Sequence, residues 1–312
     1  MIEHTTGQRG DPQPADALLA CPACRADAPL RSSGDALTCP ACGTTLPVRA
    51  GVVVAAPDGG DRDTKAKFEH QWAVWGADDV IFGKSTEQYE ERYFAEFAGP
   101  ALTREWFAGK TVLDAGCGHG IMVEVFRRLG AQSVGLELGD GVVQAARRLQ
   151  GTDARLVQGD ILAAPFRDAA FDYVYSNGVI HHTRDPRRAF AELARIVKPG
   201  GHLDLWLYPR RGRLWETIMP AARAVTVRLP PAVLSRLVYL LVPLLYVVPT
   251  WSRTSPRTHT WRQCAQVIYD WLSPRYQSHH DFDEVRRWYE EEGFVDVGQR
   301  STTPLTTYGT KR

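Results

Sequence analysis

A chain of 312 residues, 44% of them hydrophobic, can bury one full α/β core and still supply one or two small modules. Its 37 Lys and Arg against 36 Asp and Glu leave a formal charge of +1, so no global field draws it to phosphate backbones or anionic membranes, and nucleic acid is disfavoured as a partner. Residues 1–14 lack the basic start and apolar core of a secretory signal, which places the chain in the cytoplasm as an expectation and makes paired cysteines candidates for metal rather than disulfides.

In chain order, residues 1–17 read as a flexible tail, too poor in apolar groups to offset the entropy of ordering. Residues 18–56 hold Cys21-Pro22-Ala23-Cys24 and Cys39-Pro40-Ala41-Cys42 among short apolar pieces such as Leu46 to Val54. Two tight knuckles presenting four thiolates suit tetrahedral zinc, and a segment this short could hardly fold without it. With Cys21, Cys24, Cys39 and Cys42 as ligands and no histidine nearby, the site reads as closed and structural, with substrate docking, partner binding or stabilisation as its candidate roles. Residues 57–63, opening with Pro57-Asp58-Gly59-Gly60-Asp61, read as a linker to a main domain over 64–312.

In that domain Phe68, Trp72 and Trp75 recur at helical spacing, and Ser85-x-x-Gln88 opens a second helix bearing Tyr89, Tyr93 and Phe97. Core packing is the default for such aromatics, and a lid over a ligand is the alternative. From Thr111 strand-like runs (Thr111 to Ala115, Ser133 to Glu137, Ala154 to Gly159, Phe171 to Tyr175, Gly201 to Leu207) alternate with amphipathic helices, the pattern of a parallel sheet covered on both faces. Residues 209–276 break the alternation. Their stretch from Leu237 to Pro249 is apolar but too short and too kinked by proline to cross a bilayer, so it is expected to form helices that roof a site or meet a homodimer mate. Peripheral membrane contact through the arginines at 210, 211, 213, 223 and 228 is a further option. The segment Asp281-x-x-Glu284 then resembles a capping box, before a helix to Gly293 and strands over Phe294 to Gln299 and Pro304 to Thr310.

The strongest signal is Val112-Leu113-Asp114-Ala115-Gly116-Cys117-Gly118-His119-Gly120, a strand running into a glycine turn and a helix. Alternate glycines let the backbone turn sharply and approach a ligand, and the free N–H groups of the helix start meet it. Glu137 ends the next strand, where a carboxylate can accept both hydroxyls of a ribose. An Asp followed by Gly-x-Gly-x-Gly differs from the dinucleotide fingerprint and resembles the class I S-adenosylmethionine-dependent methyltransferase family over about residues 111–207, and the segment from Ser176 to Thr183 resembles its quinone-pathway-like branch. The resemblance implies an α/β, Rossmann-like seven-stranded sheet, here with an N-terminal zinc ribbon and a helical insertion after the fifth strand. It implies S-adenosyl-L-methionine as cofactor, with Asp114, Gly116, Cys117 and Gly118 at the methionine end, Glu137 and Leu138 at the ribose, Asp160 and Ile161 at the adenine, and Asn177 in the loop after the fourth strand. His181 and His182, on the loop where substrate arrives, are the candidate bases, with loop ordering as the alternative role. The activity implied is methyl transfer to an oxygen, nitrogen or carbon of a small, hydrophobic or aromatic metabolite. The competing readings are an RNA methyltransferase that docks through the ribbon and a cofactor-binding module without activity.

Overall fold

The computed structural model describes residues 14–26, 28–55, 62–75, 85–246, 259–302 and 305–312. The expected tail up to residue 13, most of the expected linker and the 247–249 end of the apolar stretch lie outside them. The N-terminal part supplies four short strands, β1 (Arg31–Ser32), β2 (Ala36–Thr38), β3 (Thr45–Arg49) and β4 (Val52–Val54), followed by helices α1 (Arg62–Trp75) and α2 (Thr86–Glu96). The alternating region follows as β5 (Thr111–Ala115), α3 (Ile121–Arg128), β6 (Gln132–Glu137), α4 (Gly141–Arg148), β7 (Arg155–Gln158), β8 (Phe171–Asn177), α5 (Pro186–Ile196) and β9 (Val197–Leu207). Helices α6 (Arg213–Thr226), α7 (Pro231–Leu241) and α8 (Trp261–Leu272) come next, then α9 (Phe282–Glu291) and the hairpin β10 (Phe294–Thr302) and β11 (Leu305–Lys311).

The sheet is mixed and eleven-stranded, in the order β1-β2-β3-β4-β7-β6-β5-β8-β9-β11-β10, rather than the seven-stranded sheet expected. The difference arises at one edge. β4 pairs parallel with β7, Val52 opposite Leu156 and Val54 opposite Gln158, so the cysteine module covers an edge strand that would otherwise present unpaired amides. The seam is reinforced by a buried Arg155–Asp16 ion pair at 2.7 Å and a bridge between Leu19 and Phe166. Leu19, Cys21, Leu37, Cys39, Leu46 and Val53 share one apolar cluster with Leu113, Leu136, Val157 and Phe166 of the main sheet.

Local signals explain the helix boundaries. Ser85 and Gln88 close a capping box on α2, Asp185 accepts from the Arg188 amide at 3.0 Å with Pro186 following, and Gly130 ends α3 at φ +88°. At α9 only half of the expected box forms. Asp281 accepts from the Glu284 amide, while the Glu284 carboxylate turns to His280 and Arg210. In α1 the fully buried row is Thr64, Lys67, Gln71 and Trp75, and Phe68 and Trp72 are only half-buried, so two of the three expected core aromatics lie beside a cavity instead. Helices α6 and α7 leave Ile218, Val225, Leu237 and Leu240 exposed, and among the described residues no helix is long and apolar enough to cross a membrane.

Candidate active site

A cavity of about 370 Å³ opens at the carboxyl ends of β5, β6 and β8, between the sheet and helices α1, α2 and α8, within the size range of small-ligand pockets. Strands β5 and β8 are central and apolar on both faces, so the side chains that remain polar at their ends stand where the chain leaves the sheet. Asp114, Gly116, Cys117, Gly118, Glu137, Leu138, Asp160, Ile161, Asn177 and His182 all line this one cavity, so it gathers residues spread over 69 positions of sequence.

The glycines of the turn adopt left-handed backbone, with φ +90° at Gly116, +50° at Gly118 and +82° at Gly120. Each is also closely overlaid by protein. A β-carbon on Gly116 would lie 2.2 Å from Val179, and one on Gly118 would lie 2.5 Å from the Trp72 indole. The sequence argument reserved that space for a ligand alone; here the loop after β8 and the helix α1 fold over the turn and form the cavity wall. Cys117 is buried, and its sulfur would lie 2.8 Å from a β-carbon on Gly135, so its small side chain fits α3 against β6.

Glu137 is held in place by two backbone donors. Its Oε2 accepts from the Gly118 amide and its Oε1 from the Gly139 amide, both at 2.9 Å. Each oxygen retains acceptor capacity, the arrangement needed to receive a pair of neighbouring hydroxyls. Asp160 caps its short helical turn through Oδ1, 2.8 Å from the Leu162 amide, and its second oxygen has no donor among the described residues. Asp114 is 4% exposed, and no described group donates to its carboxylate. Burial, with the charge of Glu137 beside it, pushes its carboxyl up to about 8. Burial raises Glu137 as well, against the pull of the Gly139, Gly118 and Leu138 amides. Two carboxyls penalised for the same reason face one cavity, and a ligand bearing positive charge and hydroxyl donors would relieve both. S-adenosylmethionine, with its sulfonium, ammonium and ribose, fits that donor set.

The two histidines separate. His182 lines the cavity, and its Nδ1 meets the Tyr276 carbonyl at 3.2 Å, which requires the proton on Nδ1 and leaves a lone pair on Nε2, 3.9 Å from Asp270. Burial lowers its basicity, so the ring is neutral near pH 7. His181 is fully buried behind it, stacked on Tyr208 at 4.1 Å between ring centres, and neither ring nitrogen has a partner among the described residues. Sequence reasoning missed the wall opposite. Gln71, Gln266, Asp270, Tyr208 and Tyr276 also line the cavity, and Asp270 accepts from the Tyr208 hydroxyl and from Gln71 Nε2. The signal was present: Gln266 and Asp270 lie four apart on the otherwise apolar buried face of α8, which had been read only as part of an irregular insertion. Tyr89 and Arg92 of α2 close a further side of the cavity.

At the N-terminus the four sulfurs of Cys21, Cys24, Cys39 and Cys42 lie within 4.8 Å of one another, with Cys21–Cys42 at 3.6 Å and Cys24–Cys39 at 3.7 Å. Hydrogen bonds from Thr44 draw Cys42 down to about 6. Although the Ala26 amide favours its thiolate, Cys24 is pushed up to about 12, with Cys42 foremost among the crowding sulfurs. Four thiols that cannot all ionise without a cation between them fit a tetrahedral zinc ion.

Both parts of the chain have counterparts among known proteins. Residues 113–205 match a family described as "Methyltransferase domain", and residues 17–51 match one described as "Trm112p-like protein". A malonyl-[acyl-carrier protein] O-methyltransferase of Salmonella typhimurium is 37% identical over 127 residues, 39% of this chain and 49% of the relative. A ubiquinone biosynthesis O-methyltransferase of Pectobacterium carotovorum is 33% identical over 130 residues, 40% of this chain and 54% of the relative. The chain thus spans about half the length of these curated relatives. Among solved structures, a chain from the complex between the Haloferax volcanii Trm112 methyltransferase activator and a methyltransferase aligns over 81% of this chain and 99% of its own, with 19% identity and a TM-score of 0.48.

Proposed function

We propose, for a chain that carries a class I S-adenosyl-L-methionine-dependent methyltransferase domain joined to a four-cysteine zinc ribbon, that it transfers a methyl group to an oxygen nucleophile of a small, largely apolar metabolite. The observation that carries this reading is the pair of carboxyls, Asp114 and Glu137, that face one cavity, Asp114 with no described donor and Glu137 held only by backbone amides, both raised by burial. The bound cofactor supplies an already activated methyl on its sulfonium. Asp114 would balance its positive charge, Glu137 would receive the ribose hydroxyls, and Asp160 and Ile161 would receive the adenine. His182 takes the acceptor's proton on Nε2, with Nδ1 anchored to Tyr276, while His181 packs behind it and fixes the ring's position. Phe68 and Trp72 exclude water from the reacting centre. Both sequence relatives are named O-methyltransferases, which supports oxygen over nitrogen or carbon.

Calorimetric titration with S-adenosylmethionine, followed by transfer of labelled methyl to a panel of hydroxylated aromatic compounds, tests this. Wild type binds and Glu137→Ala binds much more weakly; equal binding by the two, or none by either, refutes the cofactor assignment. The Trm112-like match favours a second reading, a ribbon that docks RNA. Retention on RNA at physiological salt with a steep salt slope would support it in place of the first.

A further inference from the structure

The wall of the cavity away from the glycine turn holds buried side-chain atoms with no hydrogen-bond partner among the described residues. Gln266 is 2% exposed, and neither its Oε1 nor its Nε2 has a partner. Gln71 is 4% exposed, and its Oε1 is likewise unpartnered. Its amide orientation is fixed, because the Asp270 carboxylate can only accept and must take Gln71 Nε2, at 3.4 Å. His182 Nε2 is another such atom. All three residues line the cavity, and Asp270, one helical turn from Gln266 on α8, joins Gln71 and Tyr208 into the same wall. Orphaned buried polar atoms cost free energy in the empty protein, so a cluster of them marks a place where a ligand supplies the missing bonds.

The inventory of that wall specifies the ligand. Gln71 Oε1, Gln266 Oε1 and His182 Nε2 accept, and Gln266 Nε2 alone donates. A carboxylate or phosphate, which only accepts, would leave the three orphaned acceptors unanswered and lie against the Asp270 carboxylate, with Gln266 Nε2 the one orphaned donor to meet it. A hydroxyl beside a primary amide matches instead, its one O–H and two N–H hydrogens answering the three acceptors and its carbonyl receiving Gln266 Nε2. We propose that Gln266 and Gln71 are specificity-determining residues, and that the methyl acceptor is an uncharged molecule presenting a primary amide next to the hydroxyl that faces His182. This rests on the reading that the opposite end of the cavity takes the cofactor.

The test compares salicylamide with salicylate, two isosteric probes that differ in this feature, by titration into the protein saturated with S-adenosylhomocysteine. Salicylamide is expected to bind at least ~10-fold more tightly than salicylate, and Gln266→Leu to erase that preference while leaving S-adenosylhomocysteine affinity unchanged. Because the leucine removes orphaned polar atoms, the ligand-free variant should also melt at a higher temperature than wild type, which a merely structural glutamine would not allow. Equal or tighter salicylate binding, a preference that survives in Gln266→Leu, a lowered melting temperature, or no binding of either probe overturns the proposal. Failure of S-adenosylhomocysteine itself to bind would instead strike the cofactor reading.

Discussion

Replacing Asp114 by Asn should move stability and ligand affinity in opposite directions. In the ligand-free protein the Asp114 carboxyl is raised from 3.8 to about 8, so between those values the folded state holds a proton that the unfolded chain has lost. Stability contributed by the neutral form is therefore full below about pH 4, declines as pH rises toward 8, and is flat above it. At 1.36 kcal/mol per pH unit the total reaches roughly 5–6 kcal/mol, and at pH 7 about 4 kcal/mol. Asn carries no charge but remains a buried amide lacking partners, itself costing about 1–3 kcal/mol, so the net gain at pH 7 to 8 is on the order of 1–3 kcal/mol. For a protein of this size that corresponds to a rise of a few degrees in Tm, at about 2–4 °C per kcal/mol. The variant should lose the counter-charge for the cofactor and bind S-adenosylhomocysteine at least ~10-fold more weakly. Thermal melts from pH 5 to 9 with and without S-adenosylhomocysteine measure both. A ligand-free Asp114→Asn protein that melts below wild type at pH 8, or keeps the wild-type slope of Tm against pH, would refute the reasoning.

Glu137→Gln puts an amide donor against either the Gly118 or the Gly139 N–H and removes a charged acceptor for the ribose, so titration should show affinity for S-adenosylhomocysteine reduced by roughly 10- to 100-fold. His182→Gln should lower kcat by about 10²–10⁴ for any hydroxyl acceptor that wild type turns over. Burial depresses His182, so the wild-type rate should fall only at pH below the ordinary histidine value of 6.5, and this acid limb should be missing from the variant's pH–rate profile. Cys39→Ser, or removal of zinc by a chelator, should lower Tm of the whole chain in a single transition by more than about 10 °C, because β4 is part of the main sheet and Cys39 part of its core. Two separate transitions by calorimetry, with the upper one unmoved, would contradict that coupling.

The glycine turn, the carboxylate ending β6 and the four cysteines were legible because each is a local pattern whose chemistry depends on spacing: Asp114 through Gly120 had to be a strand entering a helix, and Glu137 had to end its neighbour. What the sequence concealed was long-range. Nothing in Val52-Val53-Val54 says that it will pair with residues 156–158, about a hundred positions on, since any apolar strand can complete any exposed edge. Phe68 and Trp72 looked like core because helical spacing reveals a shared face but not what the face meets. Gln266 and Asp270 went unread because a stretch rich in Arg, Pro and Leu gave no frame, although Thr260-x-x-Gln263 does start α8 with a capping box. His181 and His182 are adjacent in sequence, and only their packing against Tyr208 and Tyr276 distinguishes the one that reaches the cavity.

The central claim is that Asp114, Glu137 and Asp160 together hold S-adenosylmethionine at the carboxyl edge of the sheet. A crystal structure of the protein grown with S-adenosylhomocysteine tests it most directly. The account requires the ribose hydroxyls within hydrogen-bond distance of both Glu137 oxygens, the adenine beside Ile161, and the sulfur turned toward His182. Ligand bound elsewhere, or a cleft closed by Val179 and Trp72 at saturating ligand, would contradict it.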